Sequence, residues 1–253
     1  MIKLLVFDKD GVILDLISTW LPVVRAVADY TISRLPDGYA GPIDRARLLG
    51  AIGVNDQADI IEPTGLFAAA SFVEIRAAWQ DMLPANMISL EQDEEYRARV
   101  GELVLELARG KTVAKGDVKT PLTQLHEAGF KLALLTNDNE ASTRQNLADL
   151  GVEHLFDPVI GADSGHGGKP DPYGLLHCCS VHGIGPDQAI MIGDTSADYG
   201  AAQNAKTADF ICIADDPAHR PSPHIDPGNV IARLTELPDL MAARYGAPTP
   251  ATA

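Results

Sequence analysis

The first hydrophobic segment of the chain ends in a cluster of charge. Leu4–Phe7 is a continuous apolar run, and Asp8, Lys9, Asp10 and Gly11 follow it at once. Consecutive apolar residues are typical of a strand buried on both faces, and a glycine lets the backbone turn sharply afterwards. We therefore expect Asp8 and Asp10 at the carboxyl end of a buried strand, although Asp-x-Asp-Gly also occurs in ordinary solvated turns.

The segment after this strand has the spacing of amphipathic helices. Trp20, Val23 and Val27 lie on one face of the first helix, and a later helix has Thr64 as its predicted N-cap. Glycine and proline separate the helices from one another. Because no part of this segment alternates like a strand, we predict an all-helical insert over residues 16–116.

From about residue 117, short apolar runs alternate with helices, which is the pattern of βαβ units and a parallel sheet. The predicted strands are Lys131–Thr136, Val159–Ile160, Ala189–Gly193 and Ala208–Ala214. A last helix is predicted at about Val230–Ala243, and residues 247–253 are expected to fray. The predicted fold class is therefore α/β, a doubly wound, Rossmann-like parallel sheet of residues 1–15 and 117–253 with an inserted all-helical cap domain.

The composition narrows the class of protein. A chain of 253 residues with 46% hydrophobic content can form one large domain and a smaller one. Its net charge of −15 disfavours nucleic acid or an anionic membrane as a partner. Cys178, Cys179 and Cys212 form no disulfide framework and indicate a reducing compartment, so we expect a cytoplasmic protein. The pattern carries no signal for an oligomeric state.

Polar residues follow several of the predicted core strands. Asp8 and Asp10 follow the first, Thr136 and Asn137 end the second, and Asp194 follows the fourth. Because parallel strands present their carboxyl ends at one edge of the sheet, these groups should converge. Several carboxylates in one pocket repel one another unless a cation lies among them. Mg²⁺ fits, because it takes oxygen ligands and leaves room for a substrate phosphate.

A glycine-rich loop adds a positive charge to this set. Lys169 lies between Gly165–Gly168 and Pro170, and we expect its ammonium to neutralise phosphate oxygens. Thr136 would donate its hydroxyl, and backbone amides near Asn137 and Gly11 would complete a phosphate cradle.

Four short motifs together resemble the haloacid dehalogenase superfamily, in its phosphatase branch with a helical cap. They are Asp8–Val12, Leu135–Asn137, Lys169–Pro170 and Gly193–Asp198, in that order along the chain. The resemblance covers nearly the whole chain and is closest to phosphoglycolate phosphatase-like members.

The resemblance implies a phosphoric monoester hydrolase that acts on a small phosphorylated metabolite. Asp8 would be the nucleophile that becomes an aspartyl phosphate, and Asp10 the general acid and then base. Asp8, the Asp10 carbonyl and Asp194 would hold Mg²⁺, with Asp198 supporting that site through water or Lys169. A second aspartate suits a phosphatase better than a dehalogenase, because an alkoxide leaving group needs a proton and a halide does not.

Two alternatives remain at this stage. A phosphosugar mutase of the β-phosphoglucomutase type resembles this layout, and a phospho-aspartate signalling module also combines acids, threonine and lysine around Mg²⁺. A signalling module, however, needs no insert of this length over its site.

The insert leaves the core just after Asp10, so we expect it to cover the active edge as a lid that sets specificity. The candidate contact is a glycine-marked loop from Gly50 to Asn55, with Arg45 and Arg47 just before it as partners for a substrate anion. Lys9, between the two catalytic acids, is expected to face the closed cap rather than the metal.

Overall fold

The computed structural model describes residues 1–37, 39–62, 65–69, 72–84, 89–108, 110–215 and 220–246. The chain forms two compact units: a core unit, Met1–Asp15 with Val113–Ala253, and an insert unit, Leu16–Thr112. The chain returns to the core a few residues before the predicted position of 117. The cap predicted at Thr64 and the tail predicted at 247–253 lie outside the described residues. None of the described helices has the length and apolar character needed to cross a membrane.

The elements are numbered in chain order. The strands are β1 (Leu4–Phe7), β2 (Val54–Asn55), β3 (Ile60–Ile61), β4 (Lys131–Leu135), β5 (Val159–Ile160), β6 (Ala189–Gly193), β7 (Asp209–Ile213) and β8 (Val230–Ile231). The helices are α1 (Leu16–Ser33), α2 (Arg45–Ala51), α3 (Leu66–Ala69), α4 (Phe72–Gln80), α5 (Glu94–Ala108), α6 (Lys119–Glu127), α7 (Glu140–Asp149), α8 (Tyr173–Val181), α9 (Ser196–Ala205) and α10 (Leu237–Arg244).

One parallel sheet organises the core unit, with the strand order β5-β4-β1-β6-β7-β8. Counted along the core alone, this is the order 3-2-1-4-5-6 of a doubly wound α/β fold, so the predicted fold class is confirmed. In the middle strand β1, Leu4 pairs in register with Lys131 of β4 and with Ala189 of β6. The residues that follow β1 therefore lie at the centre of the sheet's carboxyl edge.

Alternate residues of β1 pack against opposite layers of helices. Leu5 and Phe7 share a buried cluster with residues of α6, α7 and α10, whereas Leu4 and Val6 share one with residues of α8 and α9. A strand covered on both faces needs an apolar residue at every position, which is why this run has no polar member. All three cysteines are free thiols buried in the second of these clusters.

The end of the core unit corrects one predicted element. Val230–Ile231 is the edge strand β8 rather than the start of a helix, and it pairs with Cys212 and Ile213 of β7. Helix α10 begins only at Leu237. The physical reason lies in the residue types: β-branched side chains favour a pleated strand, and Pro238 suits the first turn of a helix, where its missing N–H is not needed.

The described residues of the insert unit form helices and one short strand pair. Helices α1, α2, α4 and α5 enclose a core that includes the buried ring of Trp79. The prediction of an unbroken loop at Gly50–Asn55 and of an all-helical insert is wrong in this detail. Gly50 lies in α2, and β2 pairs antiparallel with β3, with Val54 opposite Ile61. Gly53 adopts a φ of 81° at the turn into β2, a conformation that favours glycine.

Two glycines give a stability test of the described packing. A Cβ at Gly161, just after β5, would lie 2.4 Å from Glu140 N and 2.7 Å from Asp138 O. Because these are backbone atoms, Gly161→Ala should shift the turn after β4 and lower the free energy of unfolding by about 1–3 kcal/mol. A Cβ at Gly101 in α5 meets nothing within 4 Å, so Gly101→Ala should raise it by roughly 0.5–1 kcal/mol. Calorimetric unfolding of both variants measures the difference, and equal stability of Gly161→Ala and wild type would contradict the packing.

Candidate active site

Polar side chains from neighbouring strands meet at the carboxyl edge of the core sheet. Asp8 follows β1, Thr136 and Asn137 follow β4, and Asp194 follows β6. Because β1 lies between β4 and β6, these residues come from three adjacent strands. Lys169 joins them from the loop between β5 and α8, and its ammonium contacts Asp8. The structure thus brings together the residues that the sequence placed at strand ends.

Lys169 forms ion pairs with two of the carboxylates. Its Nζ lies 2.5 Å from Asp8 Oδ1 and 2.7 Å from Asp198 Oδ1. Burial alone would lower the pKa of the ammonium, but Asp198 and Asp8 outweigh burial, and the pKa of Lys169 is raised. Lys169 is therefore held as a cation and offsets part of the negative charge at the site.

The side chain of Asn137 clamps the backbone of Lys169. Asn137 Oδ1 accepts from Lys169 N at 2.7 Å, and Asn137 Nδ2 donates to Lys169 O at 3.0 Å. The preceding Gly168 leaves room for this clamp, since a Cβ there would lie 3.1 Å from Asn137 Oδ1. The amide side chain of Asn137 therefore fixes the lysine in place, which is a role that the sequence pattern did not reveal.

Asp198 has both of its oxygens engaged by protein groups. It is the third residue of α9, and its Oδ2 accepts from Thr195 N at 3.0 Å and from Thr195 Oγ1 at 2.6 Å in a capping box. Its Oδ1 accepts from Lys169. Asp198 is thus a helix-capping acid and at the same time the residue that orients Lys169.

The carboxylates at this edge form a cluster that fits a divalent cation. Asp8, Asp194 and Asp198 each offer an oxygen, and these oxygens lie within 4.8 Å of one another. Oδ1 of Asp194 is buried and has no hydrogen-bond partner among the described residues. A buried anionic oxygen of this kind, in a set made only of carboxylates, matches the hard oxygen ligands that Mg²⁺ takes.

The pKa values of Asp8 and Asp194 also favour a bound cation. Burial, followed by repulsion from Asp8 and Asp198, raises the pKa of Asp194 well above its usual range. Burial and then Asp198 raise the pKa of Asp8 to about 7, although Lys169 opposes the shift. The pocket disfavours its own negative charge, and a bound cation would remove that penalty.

Gly11 lies in the turn that follows β1. Its N–H donates to Leu14 O at 2.9 Å, so the amide of Gly11 itself is engaged within the turn, and a phosphate cradle formed by amides near it stays a prediction. Gly11 has a φ of 77°, and a Cβ there would lie 2.0 Å from Asp194 Oδ2. Its carbonyl accepts from Lys115 Nζ at 2.6 Å. Lys115, just after the return of the chain, belongs to none of the motifs, and no sequence signal marked it.

The prediction that Lys9 faces the cap is wrong. Its side chain is fully buried in the core unit, and its Nζ lies 2.5 Å from Asp138 Oδ2 and 3.2 Å from Asp10 Oδ2. The reason is that the turn after β4 and helix α7 bring Asp138 and Asn146 to its ammonium. The carboxylate of Asp10 forms an ion pair with this lysine.

The candidate residues of the insert unit have structural partners of their own. Arg45 pairs with Asp29 and Asp56, at 3.1 Å and 2.9 Å. Asn55 Oδ1 accepts from the backbone N–H groups of the two residues at 57 and 58, and so shapes a turn. Arg47 has an exposed side chain that forms no ion pair within the described ranges. The specificity role of Arg45, Arg47, Gly50 and Asn55 stays a prediction.

Known proteins resemble this chain over most of its length. A protein-family model described as haloacid dehalogenase-like hydrolase matches residues 2–206. The chain is 32% identical over 203 residues to a phosphoglycolate phosphatase from Psychrobacter arcticus, with 80% of each chain covered. It is 31% identical over 209 residues to a phosphoglycolate phosphatase from Vibrio cholerae, with 83% of each covered.

A solved structure shows the same fold. A protein from Haemophilus somnus, described as a predicted phosphoglycolate phosphatase, matches with a TM-score of 0.67 over 95% of this chain and 98% of that chain. The two sequences are 18% identical, so this likeness concerns the fold alone.

Gly11→Ala should weaken Mg²⁺ binding, because the new methyl group displaces the carboxylate of Asp194. We expect a loss of affinity of about 10- to 100-fold, the range found when groups that support metal ligands are changed. Gly151→Ala is the matched control: its φ of 68° imposes comparable backbone strain, but its Cβ would meet only Lys119 Nζ at 3.9 Å. Titration calorimetry with Mg²⁺ compares the two, and equal affinities would remove Gly11 from the support of the site.

Mg²⁺ binding should release protons and should tighten as the pH rises. The pKa of Asp8 is raised from 3.8 to about 7 in the folded protein, so below pH 7 a cation must displace a proton there. Calorimetry in buffers of different ionisation enthalpy counts the protons, and Asp8→Asn should release fewer. Binding without proton release would contradict the raised pKa.

The same shift makes the metal-free protein less stable as pH rises from 3.8 to about 7, since the unfolded chain loses this proton first.

Proposed function

The chain belongs to the haloacid dehalogenase-like hydrolases, and on that premise we propose that it is a phosphatase that hydrolyses a small phosphate monoester with Asp8 as nucleophile and Mg²⁺ as cofactor. One observation carries the proposal: a buried carboxylate, Asp8, contacts the fixed ammonium of Lys169 and lies beside Asp194, whose Oδ1 has no partner in the described part of the chain. A carboxylate nucleophile, a phosphate-binding cation and a metal ligand are thereby within reach of one phosphate group.

In this mechanism Asp8 attacks the phosphorus of the bound ester. A bond forms between its carboxylate oxygen and phosphorus, and the bond from phosphorus to the ester oxygen breaks. The departing alkoxide takes a proton from Asp10. Asp10, now a carboxylate, removes a proton from the water that hydrolyses the aspartyl phosphate. Asp8 is regenerated, and inorganic phosphate leaves.

The other residues bind and orient charge. Lys169 neutralises phosphate oxygens, Thr136 donates its hydroxyl to them, and Asn137 keeps the backbone of Lys169 in place. The side chains of Asp8 and Asp194 and the backbone carbonyl of Asp10 would hold Mg²⁺, with Asp198 in support. When bound, Mg²⁺ supplies positive charge that offsets both the carboxylates and the transferring phosphoryl group.

The substrate proposed is a small phosphorylated carboxylic acid of the 2-phosphoglycolate kind. This comes from the relatives named phosphoglycolate phosphatase, which match more than two thirds of the chain. Such a substrate carries a carboxylate besides its phosphate, and the exposed guanidinium of Arg47 in the insert unit is the kind of group that would bind it. The net charge of −15 gives no general attraction for an anion, so recognition depends on local cations such as this one.

The strand order and the reaction outcome distinguish the two alternatives that the sequence left open. A receiver-like signalling module has the strand order 2-1-3-4-5, whereas this core has 3-2-1-4-5-6. A phosphosugar mutase uses the same nucleophile and acid, and differs in keeping water from the phosphoenzyme. Steady release of inorganic phosphate therefore distinguishes a phosphatase from a mutase.

The proposed function predicts steady release of inorganic phosphate in the presence of Mg²⁺. The assay uses a panel of monoesters that includes 2-phosphoglycolate, sugar phosphates and p-nitrophenyl phosphate. Asp8→Asn should lower kcat by about 10³-fold or more while the protein stays folded, because an amide of the same shape is no carboxylate nucleophile. Ca²⁺ should support little activity, since it takes more ligands at longer distances.

Asp171→Asn is the matched control, because it removes a carboxylate from the loop that carries Lys169 without touching β1. It should keep wild-type turnover. Near-native turnover by Asp8→Asn would exclude the covalent mechanism. Isomerisation of a sugar phosphate with no phosphate release would assign the chain to the mutases.

A further inference from the structure

Lys9 occupies a fully enclosed position between the two catalytic aspartates of the proposed mechanism. Its side chain has 0% exposure. Three oxygens surround its Nζ: Asp138 Oδ2 at 2.5 Å, Asp10 Oδ2 at 3.2 Å and Asn146 Oδ1 at 3.3 Å.

Asp138, whose oxygen is the nearest to Lys9 Nζ, is itself held in place by hydrogen bonds. Ser142 Oγ donates to Asp138 Oδ2 at 2.7 Å, and Asn139 N donates to Asp138 Oδ1 at 2.7 Å. Its own N–H donates to Thr136 Oγ1 at 3.1 Å. Lys9 therefore ties the loop after β1 to the turn after β4 and to the first turns of α7.

Packing alone does not account for a lysine at this position. Removing an ammonium and two carboxylates from water is costly, and a buried ion pair can often be replaced by apolar residues without loss of stability. The Nζ of Lys9 nevertheless lies within ion-pair distance of both Asp10 and Asp138. The enclosed ammonium thus contacts one particular oxygen of the acid-base residue.

We propose that Lys9 is a positioning residue for Asp10. By holding Oδ2, the ammonium fixes the plane of the Asp10 carboxyl group, and a proton on Oδ2 would face the N–H of the lysine. The proton passed to the leaving group is therefore carried on Oδ1. Asp138 keeps Lys9 in the position that this requires. The inference rests on the proposed function, in which Asp10 protonates the alkoxide.

The test uses two esters that differ in their need for a proton. An alkyl phosphate releases a strongly basic alkoxide, whereas p-nitrophenyl phosphate releases a stable phenolate. In Lys9→Met, kcat/KM for the alkyl ester should fall by about 10- to 100-fold, part of the range attributed to general acid catalysis. The value for p-nitrophenyl phosphate should fall by less than about 3-fold. The loss should lie in kcat rather than KM, because substrate binding does not involve Lys9.

Asp138→Asn gives a second, milder variant in case Lys9→Met does not fold. It keeps the shape of the side chain and leaves Lys9 paired with Asp10, so it should show the same preference for the aryl ester with a smaller loss. The double variant Lys9→Met, Asp138→Asn removes the buried charges together. It should fold and should resemble Lys9→Met in its ratio of the two esters.

Tyr245→Phe is the matched control for lost stability. It removes a 2.6 Å hydrogen bond to Asp209 Oδ2, at the amino end of β7 and so at the opposite edge of the sheet. It should change both esters by the same factor. Equal losses on both esters in Lys9→Met or Asp138→Asn, or no loss on either, would overturn the positioning role. Absence of phosphate release by the wild type from every ester would instead overturn the proposed function.

Discussion

The structure depends on one electrostatic constraint, the close approach of several carboxylates at the centre of the sheet edge. Asp8, Asp194 and Asp198 offer oxygens within 4.8 Å of one another, and burial raises the pKa of Asp8 and of Asp194. Lys169 compensates two of them directly, Asp8 and Asp198. The fold therefore keeps at this edge a concentration of negative charge that a bound cation would relieve.

The surrounding architecture is what makes such a concentration possible. β1 lies between β4 and β6, so the first residues after three adjacent strands meet without any long loop. Both faces of β1 are covered by helices, which excludes water and strengthens each charge interaction. Small local features then set the distances: Gly11 makes room for Asp194, and the capping box of α9 holds Asp198. Each of these features acts on a carboxylate position.

The sequence predicted those parts of the molecule that depend on local pattern. The polar residues after β1, β4 and β6 could be placed together because parallel strands share an edge, and the βαβ alternation predicted the sheet. Contacts between distant segments could not be found in this way. Lys9 meets Asp138, 129 residues away in the chain, so its burial has no signature near residue 9. The short strands β2, β3 and β8 were missed, since two residues are too few to show an alternation. The equally short β5 was predicted because it lies within the alternation of apolar runs and helices.

The two aspartates of the first motif show how one short loop can give like residues different tasks. Asp8 Oδ1 contacts Lys169, and Asp10 Oδ2 contacts Lys9. Each acid therefore has its own lysine: Lys169 comes from the distant loop between β5 and α8, whereas Lys9 is the neighbour of Asp10 in the chain. Lys169 also contacts Asp198, whereas Lys9 is enclosed with Asp138 and Asn146. In the proposed mechanism Lys169 also binds the phosphate, which brings the phosphorus within reach of the Asp8 carboxylate. In the same proposal the enclosed Lys9 keeps Asp10 in one orientation through both steps, and a group that first gives and then takes a proton needs such an orientation.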